Sequence, residues 1–320
     1  MTDSYGREIS YMRISVTDRC NLRCKYCMPK GIQKIPMCEI LTYEEILRIC
    51  KAAVELGIGH FRVVGGEPLA RLGVCDLVAR LKSLPGAQSV TMTTNGVQLA
   101  DHLPARLSAG IDGINVSLDS LDRETYRSIT GVDALDRVMN SIEAVRDAGL
   151  PLKINCVLQR DVNEDEGEAF IDLAMKESLD VRFIELMPIG PADPARGVAG
   201  GSIINKALKR YPEMKEDHTP RGTGPAEYWS VPGRRGSIGF ISAITDRFCE
   251  SCNRIRLTST GCIRPCLCYP DEFSLKEALS GGDEGLKNAL AEAILAKPEK
   301  HCFDMRNACV EYRSMSMIGG

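Results

Sequence analysis

Three thiols fall within eight residues at Cys20, Cys24 and Cys27, directly after an apolar, strand-like stretch. Thiolates that close together can share one metal centre, and soft sulfur donors suit zinc or an iron-sulfur cluster. A structural zinc and a cubane each want four ligands, so three local cysteines leave one coordination position open. An open position is where a small molecule can bind and react. A zinc knuckle with a distant fourth ligand is the plainer alternative for this run alone.

A second thiol group sits far downstream. Cys249-Glu250-Ser251-Cys252 runs into Asn253-Arg254-Ile255-Arg256-Leu257-Thr258, with Cys262, Cys266 and Cys268 following. Two thiol pairs are also a common structural zinc arrangement. Arg254 and Arg256 are two residues apart, so an extended strand turns both to one side, where their guanidinium groups can engage phosphate oxygens jointly. A solvated face is the plainer reading of such a pair.

The elements that must position these groups are legible in the pattern. From Tyr11 to about Gly190, β-branched strands alternate with amphipathic helices, the pattern of repeated βα units on a parallel sheet. Strands are expected over 11–17, 60–64, 89–94, 113–118, 152–158 and 181–187. Thr42 and Glu45 have capping-box spacing, and Ile46, Ile49, Cys50, Ala53 and Val54 follow one helical face. Further helices are expected over 73–83, 135–148 and 164–177, the last with Asn163 as N-cap.

Periodicity does not separate an open doubly wound sheet from part of a (β/α) barrel. In a barrel, functional groups gather after the C-terminal ends of strands. Here Gly65-Gly66-Glu67-Pro68, Thr93-Thr94-Asn95-Gly96, Ser117-Leu118-Asp119-Ser120 and Met187-Pro188 all do so, as does the first thiol run. Beyond Met187 the pattern changes to a loop over 190–201, a helix over 202–210, a break over 219–225, a hairpin of 227–231 with 237–243, and a helical stretch over 285–295. A boundary near residue 220 divides the chain into 1–220 and 221–320.

Bulk properties exclude several classes. A net charge of -3 over 320 residues argues against broad nucleic-acid binding, so any basic site must be local. Fourteen clustered cysteines are too few for a disulfide scaffold, and no charged start with an apolar run or membrane-length apolar stretch is present. A reducing, cytoplasmic setting without a membrane partner is expected. Cys38, Cys50, Cys75, Cys156, Cys302 and Cys309 read as core or incidental thiols.

The CxxxCxxC run with Tyr26 before its last cysteine resembles the radical S-adenosylmethionine superfamily. With GGEP, CxxCNRIRLT followed by Cys266, and the terminal Gly319-Gly320, nearly the whole chain is similar to the molybdenum cofactor biosynthesis protein A family, the GTP 3′,8-cyclases. That resemblance implies an incomplete (β/α) barrel of about six βα units, with a smaller C-terminal α+β part closing the barrel opening. It implies two 4Fe-4S clusters, one at each end of the cavity: Cys20, Cys24 and Cys27 hold the first, and Cys249, Cys252 and Cys266 the second. It further implies S-adenosylmethionine contacts at Tyr26, Gly66, Ser117 and Met187, and GTP contacts at Arg13, Arg62, Thr93, Lys153, Arg254, Ile255 and Arg256. Catalytic roles fall on Arg254, Arg256, Gly319 and Gly320, the two glycines reaching into the active site.

The implied reaction begins with one-electron cleavage of S-adenosylmethionine. The resulting radical takes hydrogen from the ribose 3′ carbon of GTP, and the sugar radical attacks carbon 8 of guanine. The product is (8S)-3′,8-cyclo-7,8-dihydroguanosine 5′-triphosphate, the first intermediate of molybdenum cofactor biosynthesis. Implied partners are GTP as substrate, an external one-electron donor, a downstream cyclic pyranopterin monophosphate synthase and a second copy in a homodimer. Two departures stand out: Val64 occupies a position where the family commonly has Thr, and Cys262 and Cys268 crowd Cys266. Lys297-Pro298 and His301 form a further shared segment without an assigned role. A radical enzyme that modifies a peptide is the rival reading; it would need more cysteines for further clusters and no triphosphate-binding arginines.

Overall fold

A computed structural model describes residues 1–28, 34–303 and 313–318, apart from the side chain of Arg106. Its sheet begins with six strands: β1 (Tyr11–Ser15), β2 (His60–Val64), β3 (Ser89–Thr94), β4 (Gly113–Ser117), β5 (Leu152–Cys156) and β6 (Asp180–Ile184). These pair in parallel in chain order. Between them lie α1 (Tyr43–Glu55), α2 (Val74–Lys82), α3 (Leu99–Ser108), α4 (Arg123–Thr130), α5 (Leu135–Asp147) and α6 (Gly167–Glu177).

The C-terminal part joins this sheet at both edges. After α7 (Gly200–Arg210) come β7 (Lys215–Asp217), β8 (Glu227–Ser230) and β9 (Ser237–Ile241), then β10 (Arg254–Leu257), β11 (Cys262–Arg264), β12 (Phe273–Ser274), α8 (Lys276–Ser280), α9 (Asp283–Leu295) and α10 (Met315–Ile318). The strand order is β12-β11-β10-β1-β2-β3-β4-β5-β6-β9-β8-β7. Thus β9 adds in parallel beside β6, and β10 in parallel beside β1. The two terminal strands, β12 and β7, do not pair with each other, so the barrel stays open. This is the incomplete barrel the sequence suggested, with the C-terminal residues extending its two edges.

Strand alternation separates two environments. Met12, Ile14, Phe61, Val63, Val90, Met92, Ile154, Val181, Ile255 and Leu257 are all fully buried on the outer face under the helices. Each such side chain contributes about 1.5–3 kcal/mol of burial. The intervening residues line the lumen, where Tyr11, Arg13, His60, Arg62, Thr91, Asn115, Lys153, Asn155, Arg182, Arg254 and Arg256 replace apolar filling. A polar lumen supplies little packing energy, so the stability of the sheet rests on its outer face.

Helix signals came out as expected where they were local. Thr42 accepts from the Glu45 amide and Glu45 reaches back to Thr42, closing the capping box of α1. Asn163 behaves otherwise: it makes no cap bond, because its side chain instead bonds the Gln159 amide at 2.7 Å and the Asp119 and Val157 carbonyls. It braces the loop after β5 rather than starting α6. The pattern also passed over α3, which carries Pro104 in its interior, and the short polar α4, capped by Asp122 on the Thr125 amide. Among the described residues, no helix is long and apolar enough to cross a membrane.

Candidate active site

The first thiol run leaves β1 at its C-terminal end and is held by backbone packing. Gly66 donates to the Thr17 carbonyl at 2.7 Å and Glu67 to the Arg19 carbonyl at 2.7 Å. A Cβ on Gly66 would lie 2.4 Å from the Arg19 oxygen, and one on Gly65 2.6 Å from the Thr17 oxygen. The glycine pair is therefore explained by the close approach of two chain segments, which fixes the approach to Cys20. Gly66→Ala should destabilise the chain by about 2–4 kcal/mol and weaken retention of any metal held by the first run. Chemical denaturation and iron assay check it; a wild-type midpoint would show that the segments can part freely.

Glu67, almost fully buried, ties this turn to the next strand. Its carboxylate accepts from Thr94 Oγ1 at 2.7 Å, the Asn95 amide at 2.7 Å and the Leu69 amide at 3.0 Å. Asn95 Nδ2 then donates to Asn21 at 2.7 Å and lies 3.7 Å from Cys20 Sγ. Tyr26 donates to Asp119 at 2.7 Å, and Asp119 also accepts from the Val157 amide at 2.9 Å. Burial pushes the Asp119 carboxyl up to about 6.

The three thiols share one electrostatic environment. Burial raises all three, and each feels a neighbouring thiolate or carboxylate; Cys27 is pushed up to about 12 by burial and the Cys20 charge. Their deprotonated forms thus call for a cation. The C-terminal segment reaches Cys27: the Ser316 amide donates to Cys27 Sγ, and Ser316 and Ile318 are buried. Ile318 packs with Ile189, Leu267 and Met187. Gly319 and Gly320 lie outside the described residues, as does Cys309.

The second thiol group lies at the other end of the lumen. Cys252 stands two residues before Arg254, which is level with Tyr11 at the start of β1, whereas the first run follows the end of β1. One five-residue strand, roughly 16 Å, separates the two levels. Cys249, Cys252 and Cys266 line a cavity of about 160 Å³ with Tyr11, Arg13, Arg62, Arg182, Met187, Arg254, Arg256 and Lys297. Burial alone would raise the Cys252 thiol, but Arg254 and Lys297 outweigh it and bring it down to about 6. Among the described residues, no three His, Cys, Asp or Glu side chains are grouped as a site for a single metal ion.

Cys262 and Cys268 separate from Cys266 clearly. Cys262 does not line the cavity; its amide bonds Thr258 Oγ1 at 3.0 Å, just past the C-terminal end of β10. Cys268 reaches the cavity wall but is fully buried, with its sulfur 3.5 Å from that of Cys302.

The strand register gathers the cations. Arg13 lies directly between Arg256 on β10 and Arg62 on β2. Burial and Arg256 push the Arg13 guanidinium down to about 9, and burial with Arg254 pushes Arg256 down to about 10. Among the described residues, no Asp or Glu lines this cavity. A second cavity of about 890 Å³ opens at the strand-start end and shares Arg62, Arg182 and Gly224 with the first. Lys153 lines only this larger one, bonded to the Arg221 carbonyl. Thr93 lies in register with Asn115, and Asn115 with Lys153. Ser117 stands in register with Asn155 beside this row. Ile255 turns its side chain to the outer face, so any nucleotide contact there falls to its main chain.

Sequence reasoning missed Arg182. It is buried, bonds Asn155 at 2.9 Å and Asn115 at 2.6 Å, and lines both cavities. It is the one cation of β6, and only its lumen-facing parity marks it.

Two family models match the chain: the Radical SAM superfamily over residues 14–174 and Molybdenum Cofactor Synthesis C over residues 179–303. Over full length, relatives named GTP 3′,8-cyclase are 42% identical in Clostridium perfringens (strain SM101 / Type A) and 43% identical in Alkaliphilus metalliredigens (strain QYMF), each covering 100% of both chains. The chain belongs to the GTP 3′,8-cyclase family. Within this cyclase-family chain, Cys20, Cys24, Cys27 and the Gly65-Gly66 turn fall in the Radical SAM match, and Cys249, Cys252 and Cys266 in the other. Solved structures share the cyclase chain's fold at low identity. Streptococcus suis SuiB bound to S-adenosylmethionine has a TM-score of 0.64 at 14% identity, covering 92% of this chain and 73% of that one. Polyhistidine-tagged anSMEcpe with bound AdoMet has a TM-score of 0.60 at 17% identity, covering 89% and 82%.

Proposed function

We propose that this chain converts GTP to (8S)-3′,8-cyclo-7,8-dihydroguanosine 5′-triphosphate, the first step of molybdenum cofactor biosynthesis, by radical S-adenosylmethionine chemistry. One observation carries the reading: a single cavity brings Cys249, Cys252 and Cys266 together with five arginines and a lysine, and no carboxylate stands among its described lining residues. A cluster of arginines with no carboxylate among the described lining residues is stabilised by a polyanion, and arginine forks match phosphate geometry. The thiols beside them offer soft donors for iron.

Cys20, Cys24 and Cys27 fit a 4Fe-4S cluster, since their buried thiolates repel one another until a cationic centre binds. Cys249, Cys252 and Cys266 fit a second, with Arg254 donating to Cys252 Sγ at 3.4 Å. The first cluster with S-adenosylmethionine supplies one-electron hydrogen abstraction when bound. Tyr26, oriented by Asp119, and the main chain of Gly66, with Ser117 and Met187, hold that cofactor. The Gly66 amide is already bonded to Thr17, which leaves its carbonyl to accept from the ligand's amino group.

At the other end Arg13, Arg62, Thr93, Lys153, Arg182, the Ile255 main chain, Arg254 and Arg256 hold the nucleotide. Ser316 and Ile318 cover Cys27 and limit water entry there, and the catalytic role of Gly319 and Gly320, which lie outside the described residues, is part of this proposal. Holding both reactants in one enclosure removes the entropy of their encounter. An external one-electron donor and a downstream cyclic pyranopterin monophosphate synthase complete the setting, which is cytoplasmic; the working form is a homodimer.

Anaerobic reconstitution with iron and sulfide, followed by reductant, S-adenosylmethionine and GTP, tests the reading. 5′-Deoxyadenosine should form only with GTP, together with the cyclic nucleotide; its formation with a peptide and not GTP would favour a peptide-modifying enzyme.

The Lys153 ammonium adds a pH test. Burial and then Arg182 lower it to about 8, so its charge is lost as pH rises through that value. GTP affinity should therefore fall by up to ~tenfold per pH unit above 8, while Lys153→Met binds more weakly and lacks the fall that begins near 8, keeping only the later one set by Arg13 near 9. Nucleotide-free stability moves the opposite way, since neutralising a buried ammonium relieves its desolvation. Equilibrium binding from pH 7 to 9.5 reads both chains, and parallel profiles would remove Lys153 from the phosphate site.

A further inference from the structure

The segment Lys297-Pro298-Glu299-Lys300-His301 follows α9 and wraps the second thiol group. Lys297 is buried at 3% exposure. Its Nζ donates to the Arg254 carbonyl at 2.8 Å and the Pro265 carbonyl at 2.7 Å, and also bonds Cys252 Sγ. Those contacts use all three ammonium donors. Their positions matter more than their number: Arg254 lies two residues after Cys252, and Pro265 immediately precedes Cys266. One ammonium thus joins the backbones that carry two thiols.

The rest of the segment holds the third. The His301 amide donates to Cys249 Sγ. Arg7 fixes the strap from outside, donating to the Pro298 carbonyl at 2.7 Å, the Glu299 carbonyl at 2.7 Å and the Cys249 carbonyl at 3.0 Å. Asp3 holds Arg7 in turn at 2.6 Å. Every cysteine of the group is therefore contacted by the strap itself or through the residue beside it.

Burying an ammonium costs several kcal/mol unless negative charge lies close by. Two neutral carbonyls do not supply it; sulfur ligands do. Hydrogen bonds and positive charge at ligating sulfurs favour the more electron-rich state of an iron-sulfur cluster and so raise its reduction potential. We propose that Lys297 is a positioning residue of the second cysteine set, fixing Cys252 and Cys266 through their backbones and raising the reduction potential of the cluster they hold. This rests on the two-cluster reading above.

The test uses full-length chain carrying Cys20→Ala, Cys24→Ala and Cys27→Ala, so that only the second cluster contributes. Parent, Lys297→Met and Lys297→Arg are reconstituted anaerobically, then compared by iron content, chelator challenge and redox titration followed by electron paramagnetic resonance. Lys297→Met should lower the midpoint potential and weaken iron retention by roughly 10–100-fold. Lys297→Arg keeps the charge and should restore the parental midpoint. An iron-loaded Lys297→Met with the parental midpoint would overturn this proposal alone. Should Lys297→Met hold no cluster, Lys297→Arg decides: recovery at the parental midpoint supports the assignment, and no recovery overturns it. An iron-free parent would overturn the two-cluster reading and this proposal with it.

Discussion

Cys266→Ala should cost the reconstituted chain roughly half its iron, while Cys262→Ala and Cys268→Ala keep the full complement. Cys266 shares its cavity with Cys249 and Cys252, and Cys252 and Cys266 both act electrostatically on Cys249. Cys262 sits outside that cavity, bonded into the Thr258 turn. Cys268 reaches the cavity wall, but it is packed against Cys302, whose amide donates to its sulfur at 3.4 Å. Neither neighbour can move to the vacant position without breaking those bonds. Remaining iron should still support S-adenosylmethionine binding at the first run, which separates local loss from global unfolding. Full iron in Cys266→Ala, or equal loss in Cys262→Ala, would reassign the third ligand.

Much of this arrangement was legible because it is written locally. A period of two marks a strand, and parity then assigns each residue to the helices or the lumen. That is why Arg254 and Arg256 were expected on one side, and the alternating burial of β10 agrees. The capping box of α1 is likewise a four-residue signal.

What stayed hidden depends on contacts distant in sequence. The register that sets Arg13 between Arg62 and Arg256 joins residues from both ends of the chain. Arg182 looked like an isolated cation until β6 was placed beside β5. Asn163 has the composition of a cap, but Asp119 and Val157 offered its amide better partners. Gly66 illustrates a subtler point: the resemblance implies a cofactor contact there, whereas the close Arg19 carbonyl by itself already requires a glycine.

Arg256→Met should make the nucleotide-free chain more stable and bind GTP far more weakly. The Arg256 guanidinium faces Arg254 and lies in register with Arg13, and its Nε is buried without a hydrogen bond among the described residues. Burial and Arg254 together oppose its charge, so a methionine of similar length relieves about 1–2 kcal/mol of desolvation and repulsion. The same charge becomes favourable once phosphate oxygens enter. Truncating one partner of such a desolvated pair costs about 2–4 kcal/mol, or roughly 30- to 1,000-fold in affinity. Thermal unfolding without nucleotide and equilibrium GTP binding measure the two halves separately. A residue serving only the fold would lower stability and leave affinity unchanged; opposite movement of the two is the signature of a cation kept for its ligand. Cys24→Ala, which removes a thiol at the far end of the lumen, should leave this trade intact, because the charge it depends on sits roughly a strand length away.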